Sequence, residues 1–271
     1  MMGSPVLGPS LLFCPGDRPD RFTKAFARAD SVILDLEDSV GPAGKAAART
    51  EVAAAAAAAP ERAIVRVNGS TTEWFAQDVE TMRRAGVRTL MLPKAAEPEQ
   101  LAQLTDFDVI VLVETAAGAL AISQLVQSEN CIGVMWGGED LLADLGGRSS
   151  RGLDGRYRPL VEQVRSTCLL AAAAAGKAAV DAVHIDISDL EGLRRESQEA
   201  SELGFHSKAC IHPSHVDHIR TAFQPGQDQL DWAHAVLFHP DAAAGGVFRI
   251  GDQMIDGPLL AHARHIIERS R

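Results

Sequence analysis

The stretch "GVMWGGEDLLADLGG", residues 133–147, joins an apolar, strand-like run to a helix-like run. The joint consists of Gly137, Gly138, Glu139 and Asp140. Two adjacent carboxylates repel each other unless a cation or hydrogen-bond donors meet them. The pattern therefore predicts either a capped helix start or a ligand site at the end of a strand.

The same strand-to-helix pattern recurs along the chain. Short apolar runs predict eight strands, at residues 10–16, 31–38, 63–68, 89–95, 108–115, 131–137, 179–186 and 207–213. Helical patterns separate most of them, at residues 20–29, 43–58, 73–85, 116–127, 157–175 and 189–203. Continuous apolar strands are typical of a parallel sheet covered on both faces. We therefore predict an α/β fold, a (β/α)8 TIM barrel over residues 1–222, with an open doubly wound sheet as the alternative.

Residues 223–271 are left over after the eight repeats. The stretch "FQPGQDQ", residues 223–229, contains a Pro-Gly pair and predicts a hinge. Beyond it, the pattern predicts a short helix, a Gly/Ala-rich segment and a final helix. Because this tail is too short for a domain of its own, we predict a C-terminal lid or arm that contacts a neighbouring subunit.

The composition narrows the class of protein. The 271 residues carry a formal net charge of -10, which argues against broad nucleic-acid binding. No C-x-x-C pair occurs, so we expect buried free thiols rather than a zinc site, at Cys14, Cys131, Cys168 and Cys210. No apolar run reaches the ~18 residues of a membrane span, and no secretion signal precedes the first strand. The sequence predicts a cytoplasmic protein that binds neither nucleic acid nor membrane.

Charged and polar residues follow the ends of most predicted strands. In a TIM barrel the carboxyl ends of the strands form the active-site face. So many polar groups at one end predict an active site, built from Asp35, Glu37, Asp38, Arg66, Asn68, Lys94, Glu114, Glu139, Asp140 and His212. We take Glu37 and Arg66 as catalytic candidates. A single residue such as Asp38 is also compatible with a cap or turn.

Two carboxylates predict a metal site. Glu114 and Asp140 end adjacent predicted strands, so their side chains should converge. Oxygen ligands with open positions suit Mg²⁺, which keeps waters and takes one or two protein carboxylates. Gly137 and Gly138 would let backbone N–H groups approach a small anion, such as the carboxylate of a 2-oxo acid. The alternative is that Asp140 caps the following helix.

Basic residues provide candidate anion contacts. Arg66, on the third predicted strand, is placed to grip the same oxygen atoms, or to pair structurally with Glu37. Near the N-terminus, a loop-to-helix segment carries a basic cluster, defined as Arg18, Arg21 and Lys24. This basic cluster predicts phosphate binding, with an ordinary exposed helix face as the alternative.

Several motifs resemble a known family. In chain order they are "LLFCPGDRPDRF", "VILDLEDSV", "RVN", "LPK", "GGEDLLADLGG" and "CIHP". They are similar to those of the HpcH/HpaI aldolase and citrate lyase β-subunit family, specifically its stand-alone CitE-like members. The resemblance implies a (β/α)8 barrel in homotrimers or hexamers and Mg²⁺-dependent chemistry on acyl thioesters. It also implies metal ligation by Glu114 and Asp140 and substrate binding by Arg66.

The tail adds a resemblance of its own. The stretch "GDQMIDGP", residues 251–258, is similar to the C-terminal segment of malyl-CoA and citramalyl-CoA lyases. This implies that Asp256 acts as acid/base in a neighbouring subunit's site. The expected reaction splits a 3-hydroxyacyl-CoA into acetyl-CoA and a 2-oxo acid. Its substrate would contact Gly138, Glu139, Asp140 and the basic cluster.

Other functions remain open from the sequence. One is the β-subunit of citrate lyase, acting on a citryl thioester of an acyl carrier protein. A second is a Schiff-base aldolase that uses Lys94 as its nucleophile. A third is a non-catalytic binding or assembly subunit. The segment "SSRGLDGRYRP", residues 149–159, is expected near the substrate mouth.

Overall fold

The computed structural model describes residues 8–244 and 246–270. Eight parallel strands close a barrel in sequence order, with β1 pairing both β2 and β8. The strands are β1 (Ser10–Pro15), β2 (Ser31–Asp35), β3 (Ala63–Arg66), β4 (Thr89–Leu92), β5 (Asp108–Val113), β6 (Cys131–Trp136), β7 (Ala178–Asp181) and β8 (Ser207–Cys210). The predicted TIM barrel is confirmed, and the open sheet is excluded.

Helices connect the strands and continue after the barrel. They are α1 (Pro19–Arg28), α2 (Lys45–Ala58), α3 (Phe75–Ala85), α4 (Pro98–Ala102), α5 (Ala116–Leu125), α6 (Gly138–Asp144), α7 (Pro159–Ala174), α8 (Leu190–Leu203), α9 (Val216–Phe223), α10 (Gln227–Leu237) and α11 (Gly257–Arg269). Short 3-10 turns lie at Pro42–Gly44, Pro213–His215 and Pro240–Ala244. None of the helices in the described part of the chain is long and apolar enough to cross a membrane.

All eight barrel strands end earlier than the apolar patterns predict, and β2 shows why. The prediction ran to residue 38, whereas the strand ends at Asp35. The Asp35 carboxylate accepts the N–H groups of Glu37 at 2.9 Å and Ser39 at 3.1 Å. Such side-chain contacts turn the backbone out of the ladder. The polar residues therefore lie just beyond the strand, on the active-site face.

The barrel interior is filled by aliphatic side chains from alternate strand positions. The buried set comprises Leu11, Ile33, Ile64, Met91, Ile110, Leu112, Met135, Ala178, Val180 and Ala209. This arrangement makes the interior a packed core rather than a pore. The four cysteines are free and buried, as expected. Burial raises the pKa of Cys14 to about 11, so its thiol stays protonated.

The chain divides into two compact units, between Ile219 and Arg220. The second unit contains α10 and α11 with a hairpin of β9 (Phe248–Ile250) and β10 (Gln253–Ile255). Its own core consists of Ala233, Val236, Phe248, Ile255, Leu260, Ala263 and Ile266. The sequence patterns predicted both helices but missed this hairpin.

Candidate active site

An ion pair between neighbouring strands lies at the centre of the site. Asp35 of β2 is in register with Arg66 of β3, and the guanidinium donates to both carboxylate oxygens, at 2.7 Å and 2.8 Å. Although burial opposes ionisation, Arg66 holds the pKa of Asp35 below its usual range. Because Nε and Nη2 of Arg66 are engaged, Nη1 is left directed at Glu37 and Asp38.

Glu37 follows the end of β2 and contacts two cations. Its Oε1 forms a close ion pair with Lys94 Nζ, and its Oε2 lies 3.1 Å from Arg66 Nη1. Oε2 is buried and accepts no hydrogen bond of good geometry from the described residues. Burial raises the pKa of Glu37, although the Arg66 charge opposes this. A buried carboxylate with one oxygen that accepts no hydrogen bond is suited to accept a proton.

Lys94 connects Glu37 to Glu114. Its φ of 54° lies in the left-handed region, and its backbone N–H donates to Glu114 Oε1 at 3.1 Å. Its ammonium lies 4.0 Å from the same oxygen. Burial disfavours this charge, but the carboxylates outweigh burial and raise the pKa of Lys94. Lys94 therefore stays an ammonium group, the form that does not attack a carbonyl.

Glu114 directly follows β5 and is 2% exposed. Burial and the charges of Glu37 and Asp140 raise the pKa of Glu114 to about 8. A β-carbon at Gly137 would lie 3.1 Å from Glu114 Cβ and 3.2 Å from its Oε2. Gly137 thus leaves the space that the Glu114 side chain occupies.

The two glycines at the start of α6 have packing roles that the sequence did not reveal. Gly137 donates its N–H to Val113 O at 2.9 Å, so this amide is not available to an anion and that part of the prediction is wrong. A β-carbon at Gly138 would lie 3.1 Å from the Trp136 ring and 3.3 Å from Val161 Cγ1. Glycine is therefore favoured at both positions, because a β-carbon would make tight contacts with these neighbours.

The two acids of α6 have different neighbours. Gly137 is the N-cap residue and no side chain caps α6, so the alternative that Asp140 caps this helix is wrong. Asp140 is instead close enough for its charge to raise the pKa of Glu114. Glu139 accepts a hydrogen bond from Ser150 Oγ at 2.5 Å. Asp140 therefore lies near Glu114, whereas Glu139 anchors the segment after α6 through its hydrogen bond with Ser150.

The segment after α6, residues 149–159, packs beside the end of β6. Arg151 and Tyr157 form an antiparallel bridge, and the Arg151 guanidinium lies 3.9 Å from the Tyr157 ring centroid. The Tyr157 ring packs edge-on against Trp136, with centroids 5.0 Å apart. The segment therefore packs next to the first turn of α6.

The donor set of the site fits a hard divalent cation. Glu114 and Asp140 offer oxygen atoms, and a cation would offset the burial and the like charges that together raise the pKa of Glu114. Within residues 8–244 and 246–270, no three His, Cys, Asp or Glu side chains are arranged around one metal position. Two carboxylates that leave other positions to water or substrate match Mg²⁺ better than a structural zinc ion.

The remaining predicted site residues have local roles. The basic cluster is exposed on α1 and the loop before it, and Arg18 pairs with Asp20 at 3.1 Å. Asp256 lies in the second compact unit, where its side chain caps α11 by accepting the Leu259 N–H at 3.2 Å. His212 caps the 3-10 turn that follows β8.

Sequence reasoning missed a second buried ionic cluster, at β7 and β8. Asp181 accepts hydrogen bonds from Lys208 Nζ at 2.8 Å, Arg165 Nε at 3.0 Å and Trp136 Nε1 at 3.0 Å. Burial opposes ionisation of Asp181, but Lys208 and Arg165 outweigh it and lower its pKa. Charged residues inside apolar strands, as in "SKAC", were the available signal. Their partners could not be read from the sequence.

Comparison with known proteins agrees with this geometry. The profile of the HpcH/HpaI aldolase/citrate lyase family matches residues 9–213, which include the whole barrel. The chain belongs to this family. The family resemblance seen in the motifs is thereby confirmed, as is the prediction that the protein is a carbon–carbon lyase.

Individual relatives add detail. A citrate lyase subunit beta-like protein of Mycobacterium tuberculosis is 47% identical over 263 residues, covering 97% of this chain and 96% of that protein. A (3S)-malyl-CoA thioesterase of Cereibacter sphaeroides is 30% identical, covering 96% of this chain and 94% of that protein. The crystal structure of CitE from M. tuberculosis in complex with magnesium, acetoacetate and coenzyme A superposes with a TM-score of 0.91 at 46% identity, covering 97% of this chain and 98% of that one.

Proposed function

We propose that the protein is a Mg²⁺-dependent lyase that cleaves a 3-hydroxyacyl-CoA of the citramalyl-CoA or malyl-CoA type into acetyl-CoA and a 2-oxo acid. The proposal rests on four charged side chains that converge at the carboxyl ends of β2–β5, namely Glu37, Arg66, Lys94 and Glu114. The acetoacetate and coenzyme A bound to the Mycobacterium CitE support an oxo acid and a thioester as reactants. The relative that is a (3S)-malyl-CoA thioesterase supports a hydroxyacyl-CoA substrate.

Glu114 and Asp140 would hold the Mg²⁺. When bound, the ion would supply Lewis-acid polarisation of the substrate's hydroxyl and carboxylate oxygens. The Lys94 N–H and the space at Gly137 hold the Glu114 carboxylate in place for this role. Because the pKa of Glu114 is raised to about 8, ion binding is expected to release a proton from this residue near neutral pH.

The residues of β2 and β3 supply the acid–base chemistry of a retro-Claisen cleavage. Glu37 Oε2 accepts the proton of the substrate hydroxyl. The O–H electron pair forms the ketone of the 2-oxo acid, the C–C bond breaks, and its electron pair passes to the thioester fragment as an enolate. Arg66 donates from Nη1 to the oxygen that carries the developing charge, because its Nε and Nη2 atoms are engaged by Asp35.

The rest of the reaction involves residues outside this constellation. Asp256 of a neighbouring subunit, in a homotrimer or hexamer, protonates the enolate to give acetyl-CoA. The basic cluster binds the phosphates of coenzyme A, since its exposed positive charges suit a strongly anionic group. Gly138 and Glu139, in the first turn of α6, contact the carboxylate of the 2-oxo acid through backbone amides.

A second candidate is a citrate lyase β-subunit that acts on a carrier-bound citryl thioester. The M. tuberculosis relative, a citrate lyase subunit beta-like protein, favours this candidate. The Schiff-base aldolase is disfavoured, because the carboxylates around Lys94 hold its amine in the charged form.

The test is a substrate panel. Purified protein with Mg²⁺ is incubated with free hydroxyacyl-CoA thioesters, and the products are identified by mass spectrometry. We expect acetyl-CoA and a 2-oxo acid from the citramalyl or malyl thioester, without any added protein. Turnover of a carrier-protein thioester alone would favour the citrate lyase β-subunit instead.

A further inference from the structure

Lys45, the first residue of α2, is buried beneath the loop that carries Glu37. Its ammonium lies 2.7 Å from Leu36 O, 2.7 Å from Glu37 O and 2.6 Å from Asn68 Oδ1. An ammonium group has three N–H donors, so these three acceptors use all of them. Two of the acceptors are backbone carbonyls just beyond the end of β2.

The far side of Lys45 is fixed by a chain of buried side chains. Asn68 donates from Nδ2 to Asp78 Oδ2 at 2.6 Å, and Asp78 Oδ1 accepts from Arg49 Nε at 2.6 Å. The Lys45 ammonium also lies 5.0 Å from the centroid of the Trp74 ring. Asp78 is fully buried, so this chain joins α2 and α3 to the ends of β2 and β3 without passing through solvent. Asn68 is therefore part of a scaffold, although the sequence placed it on the active-site rim.

We infer that Lys45 is a positioning residue for the catalytic carboxylate of Glu37. The Glu37 side chain must reach Lys94 and Arg66 while Oε2 accepts no hydrogen bond within the described part of the chain and can take a proton. The direction of this side chain depends on its own backbone. That backbone has left the barrel ladder, so strand pairing no longer fixes it. The Asp35 carboxylate holds its N–H, and Lys45 holds its carbonyl.

The test is a double-mutant cycle on the lyase reaction, and it therefore rests on the proposed function. The variants are Lys45→Met, Glu37→Gln and the double variant, assayed for kcat at saturating substrate and Mg²⁺. We expect Lys45→Met to lower kcat at least about 10-fold in the wild-type background and less than about 3-fold when Glu37 is already Gln. A merely structural Lys45 would lower kcat by the same factor in both backgrounds, which would overturn the inference.

Lys208→Met provides the matched control, because Lys208 is also a buried lysine whose ammonium donates to a side chain and to a backbone carbonyl, but at β8. Its effect on kcat should be the same with and without Glu37→Gln. If Lys45→Met does not yield folded protein, Lys45→Gln replaces it, and the same non-additivity is expected. A wild-type protein with no lyase activity would refute the proposed function and this role with it, whereas active protein with additive effects would refute the role alone.

Discussion

Raising the pH of the metal-free protein from about 6 to about 9 should destabilise it through Glu114. The pKa of this residue is about 8 in the folded chain, against 4.5 for the ordinary side chain. Between these two values the folded chain binds more protons than the unfolded chain. Stability must therefore fall as the pH rises through this window, because the buried carboxylate has to ionise beside Glu37 and Asp140.

The size of the loss follows from the same two values. Stability falls by about 1.4 kcal/mol for each pH unit over which the unfolded chain is ionised and the folded chain is not. With a folded pKa of about 8, the loss from about pH 6 to about pH 9 is about 3 kcal/mol. Glu114→Gln removes this titration but keeps the side-chain volume, so the variant should lose about 3 kcal/mol less over the same range.

The measurement is urea denaturation of both proteins in EDTA at several pH values across this range. The difference between their free energies of unfolding isolates Glu114, since the other groups titrate in both proteins. Added Mg²⁺ should stabilise the wild-type protein most at high pH and Glu114→Gln little. A difference between the two proteins that stays constant with pH would refute the view that Glu114 is protonated in the metal-free site.

Four further outcomes are expected. EDTA should abolish lyase activity and Mg²⁺ restore it, whereas full activity in EDTA with borohydride trapping of a lysine would point to a Schiff base. Replacing the whole basic cluster by Ala should raise KM for the CoA substrate more than it lowers kcat, because phosphates lie far from the bond that breaks; an unchanged KM would exclude phosphate binding there. Arg66→Met should lower kcat about 10²–10³-fold and destabilise the fold by about 3–5 kcal/mol, since Asp35 would be left buried and unpaired; urea denaturation and steady-state kinetics check both. The variants Asp256→Ala and Glu114→Gln should each be nearly inactive. When they are unfolded and refolded together, about one quarter of the active sites should contain both intact residues and regain activity; mixed oligomers without recovered activity would exclude a shared site.

The order of the barrel could be predicted because each strand is a short apolar run flanked by polar residues. The ends of the strands could not, because they depend on side-chain contacts. At the end of β2, the Asp35 carboxylate accepts two backbone N–H groups from residues beyond the strand. The β9–β10 hairpin was missed since each strand has three residues, too few for a periodic pattern.

Residue types at the strand ends predicted the site, but their pairing is a property of the fold. Glu37 and Arg66 are separated in sequence, and their contact follows from the register of β2 with β3. Asn68 resembled a site residue by position, yet its side chain serves Lys45 and Asp78. Buried scaffolding residues such as Lys45 carry no local signal, since a lysine at a helix start is ordinary in sequence.

The positive φ of Lys94 sets function against stability at one position. A lysine at a φ of 54° is strained by its β-carbon, and a glycine would relieve that strain. Glycine would also remove the ammonium that pairs with Glu37 and lies 4.0 Å from Glu114. The strain costs stability, so the presence of a lysine here is explained by the charge that it supplies to the carboxylates. Replacement of Lys94 by glycine is thus expected to relieve backbone strain while lowering the turnover number.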